Sequence, residues 1–483
     1  MRISWPTLFP ALLAFLLYLP SIAFDFALDD QFQILENPAL TSIADSLRTP
    51  LYPGTLYRPI TQLSYALEIR FGVGSAAEMH LVNIALHALA TLLVTLLLRR
   101  LLGLRVGLLT GLLFAMHPLH TEVVANISGR SELLSAVFVL GALLVSSSVT
   151  LSLRIVAPCL ILFGLLAGGA KESGAVLPLL VLLCGYQRTA SLRPHLAASF
   201  ASLLGVLLYL LVRVLVLGEL TIAREAIHFV DNPLVAQSGF QRALLGLTLL
   251  GKYLCLHAMP LQLSADYSYS HLLPPTLGGS SLEWASYAVL LAATLVLSLN
   301  RHSQYTQTRF AIAWFLLAFL PTSNIFFPIG TIFAERLSYL PGIGIFALFA
   351  IAFTQLRNKV FWYAACAVYL FQFALRLPDW HDNRSLHLSQ LSISPASAKT
   401  QINAAAVLRL EEDYQQAYQH LQRALSIYPS YDSARFGLAL LFAERGVRSR
   451  TEYWLRATLE VNPEHAAAKK MLAKLSAVRE TGP

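Results

Sequence analysis

A chain of 483 residues that is 56% hydrophobic and only 13% charged carries about half the charge density of an ordinary soluble domain. Its formal net charge of +8 would suit nucleic acid if it were clustered, but the basic residues are dispersed between apolar runs. Composition therefore excludes a soluble enzyme and a nucleic-acid-binding protein, and points to an all-α polytopic membrane bundle.

The first apolar run, Trp5 to Phe24, has no small-residue cleavage site and is followed by further runs of span length, so it reads as a retained first helix. Spans are expected near 6–24, 80–98, 105–119, 131–149, 154–170, 174–187, 196–217, 284–300, 309–327, 335–355 and 360–376, about eleven in all. Basic residues fall between alternate spans: Arg2; Arg99, Arg100 and Arg105; Arg154; Arg188 and Arg193; Arg301 and Arg309; Arg357 and Lys359. The positive-inside rule puts those loops in the cytoplasm, with the N-terminus inside and the C-terminus outside. Ala243 to Met259 is apolar too, but counting it as a span would carry Arg301 and Arg309 outside. It reads as a re-entrant or interfacial helix on the outer side.

That topology assigns the loops at 25–79, 118–130, 171–173, 218–283 and 326–336, and everything after 376, to the outer face. The polar outliers of the chain collect there. Asp29-Asp30 follows the first span within a few residues, in the loop 25–79 that hands the chain to an extramembrane segment. Carboxylates at a membrane edge are costly unless they face water, a partner or a substrate. They can serve a general base, or they can cap an interfacial helix.

His117-Pro118-Leu119-His120-Thr121-Glu122 brings two imidazoles and an acid together, but histidines spaced across a proline are a poor metal pattern, and no metal is expected. A hydrogen-bonding role in a site wall suits them better. Arg58, Arg130, Lys171-Glu172 and Glu335-Arg336 complete the outer-face set, each open to reading as an ion pair with a nearby residue. Cys159, Cys184, Cys255 and Cys366 sit in apolar stretches without ligand spacing and read as packing residues.

After Arg376 the composition turns polar and alanine-rich. Residues 377–397 form a connector between the 1–376 membrane domain and a tail at 398–483. In that tail Pro429 and Pro463 stand one tetratricopeptide period apart. In the repeat 398–431, Ala405, Leu408, Ala417, Leu421, Ala424 and Pro429 fill the alternating small, large and proline slots. In 432–465, Ala439, Phe442, Leu455 and Pro463 fit, with Thr451 and Thr458 at positions that favour alanine. Residues 466–483 would cap the array.

Several stretches, in order, resemble the membrane O-mannosyltransferases with tetratricopeptide repeats, of the C-type glycosyltransferase superfamily, and favour a bacterial-type relative. They are Leu28-Asp29-Asp30, Tyr57-Arg58-Pro59-Ile60-Thr61, the block His117 to Ser135, Lys171-Glu172-Ser173-Gly174, Ala265-Asp266-Tyr267-Ser268 and Ala334-Glu335-Arg336-Leu337-Ser338-Tyr339. Trp380, Asn383 and Ala398-Lys399 follow at the entrance to the repeats. Two departures stand out: the repeat array is short, and Tyr267 follows Asp266 where the family pattern has tryptophan.

The resemblance implies transfer of a sugar, mannose or another hexose, from a polyprenyl-phosphate donor to a hydroxyl, with inversion and no required cofactor. Phosphate is already a good leaving group, so the chemistry needs a base for the acceptor and positive charge for the phosphate, not a protonating acid. The resemblance makes Asp29 the base and Asp30 its neighbouring orienter, roles that two adjacent acids can exchange. Arg336 would lead in holding the donor phosphate, followed by Arg58, Arg130 and Lys171. His117, His120, Glu122, Glu172, Asp266 and Glu335 would contact substrate.

A secreted or membrane protein is the implied acceptor, presented through the repeats on the periplasmic face of a bacterial inner membrane, or in the endoplasmic reticulum lumen of a eukaryote. The competing readings are a transporter and a non-catalytic scaffold with a repeat-based docking tail. No inverted repeat and no acid deep within a span supports the transporter.

Overall fold

The computed structural model describes residues 5–51, 56–148, 150–220, 227–299 and 306–480, and no strand occurs among them. Arg2 and Arg301, two of the basic anchors, lie outside the described residues. Each expected span falls on a helix: Trp5–Tyr18 with its continuation Leu19–Ala23, Ala76–Leu102, Leu104–Met116, Arg130–Ser146, Leu153–Ala170, Leu177–Thr189, Leu196–Leu217, Ser281–Leu299, Thr306–Phe319, Gly342–Gln355 and Val360–Arg376. Six described helices are long and apolar enough to cross a membrane: the first, Ala76–Leu102, Ile127–Ser146, Leu153–Ala170, Arg193–Leu217 and Val360–Trp380. The protein is an integral membrane protein.

Local sequence sets the helix boundaries. Ser75 and Glu78 form a reciprocal capping box at the start of Ala76–Leu102. Gly103 ends that helix with φ +97°, a conformation costly to any residue with a Cβ, and the chain doubles back into Leu104–Met116. Small residues let neighbours close up: a Cβ on Gly164 would meet the Val206 nitrogen at 3.2 Å and one on Gly205 the Leu165 nitrogen at 2.9 Å. Leu153–Ala170 and Leu196–Leu217 therefore pack backbone to backbone, as apolar helices must when packing, not the hydrophobic effect, holds them together.

The stretch expected as a re-entrant or interfacial segment is one continuous helix, Gly239–Ala258, opened by a capping box of Ser238 and Gln241 and packed on Ser281–Leu299. The segment expected to begin a span at 335 starts instead with a single 3-10 turn, Glu335–Ser338; the helix itself begins at Gly342. Glu335 and Arg336 thus sit on a turn at the helix mouth.

The tail contains the tetratricopeptide helix pairs Ala398–Leu410/Tyr414–Ile427 and Asp432–Glu444/Arg448–Val461, followed by Ala466–Glu480. Ala405, Leu408, Ala417, Leu421 and Ala424 are all buried in the slots their spacing assigned. Thr451 and Thr458 fit alanine slots because each hydroxyl is consumed within its own helix, donating to the Val447 carbonyl at 3.1 Å and the Trp454 carbonyl at 2.8 Å. The connecting segment is itself ordered: Trp380 is fully buried, and Asn383–Ile393 is a helix N-capped by Asp382.

Candidate active site

A cavity of about 900 Å³ opens where the helix ends of the membrane domain meet the connector helix and the first repeat helix. One end is charged, lined by Asp29, Arg58, Lys171, Glu172, Arg213 and Arg336. A second wall is apolar, from Phe326, Phe327, Pro328 and Ile329. The third comprises His387 and Gln390 of the connector helix with Lys399, Thr400 and Asn403 of the first repeat helix.

The acidic pair divides sharply. Asp30 is fully buried, and its carboxylate accepts from the backbone N–H groups of Ala27 at 3.1 Å, Ile127 at 3.3 Å and Ser128 at 2.7 Å. Burial raises its pKa from 3.8 to about 7, even though those N–H groups favour the charged form. It ties the first outer loop to the turn before the helix Arg130–Ser146 and does not reach the cavity. Asp29 is half-buried, lines the cavity, and its carboxylate has no hydrogen-bond donor among the described residues. Its charge reaches Arg336, where with Glu122 it outweighs the cost of burial and strengthens the proton affinity of the guanidinium.

The cations meet this end of the cavity in pairs. Arg336 bonds Glu122 through Nη1, and its own backbone N–H donates to the same carboxylate at 2.8 Å. Glu122, only 1% exposed in its side chain, therefore fixes Arg336 and does not face the cavity as a substrate contact. Lys171 pairs with Glu132; burial lowers its pKa, and Arg58 and Arg336 lie near enough to lower it further. Arg58 donates through Nε at 3.1 Å and Nη2 at 2.9 Å to one oxygen of Glu172, while Arg213 reaches the other at 3.3 Å. Burial alone would raise Glu172, but the two guanidiniums outweigh it and hold it below its usual range.

Four other expected site residues lie elsewhere. Arg130 is fully buried, bonded to Glu68, to Asn83 Oδ1 at 2.9 Å and to the Met79 carbonyl at 2.9 Å, over the Tyr65 ring. With every donor arm taken by the protein, it is a structural cation and not a phosphate ligand. His117 and His120 are buried too, their ring nitrogens on the His257 carbonyl at 3.1 Å and the Phe114 carbonyl at 2.8 Å, amid Tyr339, Phe346 and Tyr369. They belong to the aromatic core. Glu335 is buried beneath the cavity, accepting from Ser264 N–H at 2.6 Å and Tyr267 hydroxyl at 2.8 Å; burial raises its pKa.

Asp266 does line the cavity, but its carboxylate is occupied by Ser397 hydroxyl at 2.6 Å, Ser268 hydroxyl at 2.9 Å and Thr400 hydroxyl at 3.3 Å. It fastens the outer loop to the start of the repeats. No group of three or more His, Cys, Asp or Glu residues suited to a metal occurs among the described residues.

Arg213 escaped the sequence reading although its signal was present: an arginine near the end of the apolar 22-residue helix Leu196–Leu217, where an ionisable group needs a reason to be.

A tetratricopeptide-repeat family model matches residues 408–475. Across the membrane domain the chain is similar to proteins named protein O-mannosyl-transferases. It is 26% identical to F38B6.6 of Caenorhabditis elegans, over 86% of this chain and 61% of that protein. It is 26% identical to TMTC3 of Mus musculus, over 87% of this chain and 50% of that protein, and 28% identical to Tmtc1 of Drosophila melanogaster, over 88% and 62%. The chain thus spans between half and three-fifths of the length of these relatives. Similarity over most of the chain together with the repeats fits a relative of these proteins.

Proposed function

We propose that this protein is a membrane glycosyltransferase of C-type architecture with about eleven spans, moving mannose or a related hexose from a polyprenyl phosphate to a serine or threonine hydroxyl of a protein. The observation that carries this reading is the unpartnered carboxylate of Asp29 facing a cavity whose charged end holds four cations. Three carboxylates offset them there: Glu122, Glu132 and Glu172. With Asp29 the charges there balance, and uptake of the acceptor proton by Asp29 leaves one positive charge to meet the anionic leaving group.

In the proposed step the acceptor hydroxyl oxygen attacks the anomeric carbon as Asp29 takes its proton. The bond from that carbon to the phosphate oxygen breaks, and both its electrons leave with polyprenyl phosphate. Attack opposite the departing phosphate inverts the anomeric centre. Arg336 and the Arg58–Arg213 pair, with Lys171 between them in charge, stabilise the negative charge that grows on the phosphate. No metal is required. The polyprenyl chain would lie on the apolar wall at Phe326–Ile329, and the acceptor would enter under the connector and first repeat helices. The distribution of basic residues supports an outward-facing site, periplasmic in a bacterium and luminal in the endoplasmic reticulum of a eukaryote.

The test is transfer from labelled polyprenyl-phosphate mannose in membranes containing wild-type protein or Asp29→Asn, with protein and lipid fractions separated. Label in the protein fraction that vanishes with the variant is expected. Equal labelling by the variant removes Asp29 as base. No label from any of several polyprenyl-phosphate sugars, with folded protein, moves the reading to a membrane scaffold.

A further inference from the structure

We propose that Asn383, on the helix joining the membrane domain to the repeats, is a positioning residue that holds Asp29 in its cavity-facing orientation. This rests on the reading of Asp29 as the base. Leu28, just before Asp29, has φ +54°. A leucine in the left-handed region is strained and persists only where its surroundings demand it. Part of the demand is local, the Asp30 N–H closing a turn on the Ala27 carbonyl at 3.1 Å, and part comes from 355 residues away, where the Leu28 N–H donates to Asn383 Oδ1 at 2.7 Å.

The neighbouring anchors narrow the role further. Asp25 N–H donates to the His381 carbonyl at 2.8 Å, and Asp30 is held by Ala27, Ile127 and Ser128. Asp29 is left between two fixed points, and the φ of Leu28 decides where its side chain projects. Were Leu28 to relax to negative φ, the peptide plane before Asp29 would rotate and the carboxylate would leave its aim.

Asn383 is itself well placed to hold this geometry. It is the first residue of the helix Asn383–Ile393, whose start is fixed by Asp382 accepting from Ser385 N–H at 2.7 Å. Further along, Gln390 Oε1 accepts from Ala265 N–H at 3.0 Å and from Ser264 hydroxyl at 2.7 Å. The connector helix therefore ties the acidic loop, the outer loop at 264–266 and the repeats into one frame around the cavity.

The experiment compares wild type, Asn383→Ala, Asn383→Asp and Asp29→Asn by kcat, KM for the polyprenyl-phosphate sugar, thermal unfolding and amide exchange of the peptide around 24–30. Asn383→Ala removes the acceptor oxygen. It is expected to lower kcat by about 10- to 100-fold, the scale of a small misplacement of a reacting group, with donor KM unchanged and faster exchange at 24–30. Asn383→Asp keeps an acceptor oxygen and should keep slow exchange and most of kcat, with its pH–rate profile displaced by the added charge. Wild-type kcat in Asn383→Ala despite faster exchange overturns the proposal, as does equal loss in both variants with a lowered unfolding temperature. If Asp29→Asn itself transfers sugar normally, the reading of the base falls, and the exchange data still report whether Asn383 holds Leu28.

Discussion

Replacing Asp30 separates the two members of the acidic pair. Asp30→Ala strands the N–H groups of Ala27, Ile127 and Ser128, now 3.1, 3.3 and 2.7 Å from carboxylate oxygens, in a site with no solvent exposure. A buried donor left unpaired costs about 1–3 kcal/mol, so the variant should lose about 3 kcal/mol or more. Asp29→Asn touches a half-exposed carboxylate without a donor and should stay within about 0.5 kcal/mol of wild type.

The pH dependence adds an independent sign. Burial raises Asp30 from 3.8 to about 7, so the folded protein binds the proton more tightly than the unfolded chain. The stability this contributes is complete below about 4 and is lost as pH rises through about 7, with a ceiling of about 4 kcal/mol. Thermal unfolding of detergent-solubilised protein, followed by tryptophan fluorescence from pH 4 to 8, reads both effects. The stability difference between wild type and Asp30→Asn should change over that window in the direction of wild-type loss. An Asp30→Ala protein as stable as wild type, or a pH-independent difference, would refute the assignment of Asp30 as a buried structural acid.

Arg130→Met leaves half-buried Glu68 without its cation and strips donors from Asn83 Oδ1 and the Met79 carbonyl, and Arg336→Met leaves fully buried Glu122 with only the Arg336 backbone N–H; each should cost about 2–4 kcal/mol, but only Arg336→Met should raise donor KM, so unfolding and donor KM, measured together, distinguish them. Glu172→Gln removes the carboxylate shared by Arg58 and Arg213, so polyprenyl phosphate should inhibit about 3- to 10-fold more tightly at low salt, an advantage that shrinks as salt is raised. Asp266→Ala frees Ser397, Ser268 and Thr400 and should speed limited proteolysis at the entrance to the repeats while donor KM holds.

Much of this protein is legible along the chain because its signals are local. Runs of apolar residues announce membrane helices whatever their neighbours are, since backbone groups in lipid must be satisfied within the helix. The repeat period is carried by Ala405, Leu408, Ala417, Leu421 and Ala424, whose sizes are dictated by the adjoining helix of the same unit. Even the threonines that break the pattern hide their hydroxyls within one turn. Charge partnership is not local. Arg130 and Arg336 look alike in sequence, yet Glu68, Asn83 and Met79 consume one while Glu122 holds the other at the cavity edge. Asp29 and Asp30 are adjacent, yet one lines the cavity and the other is held in the core by backbone N–H groups, and Leu28 before them takes a left-handed backbone angle. That angle is held in part by Asn383 across 355 positions. Sequence by itself determined the helices, the repeats and the residues worth suspecting. Only the tertiary structure decided which of them face a shared cavity, because burying a charge depends on the partner that folding brings to it.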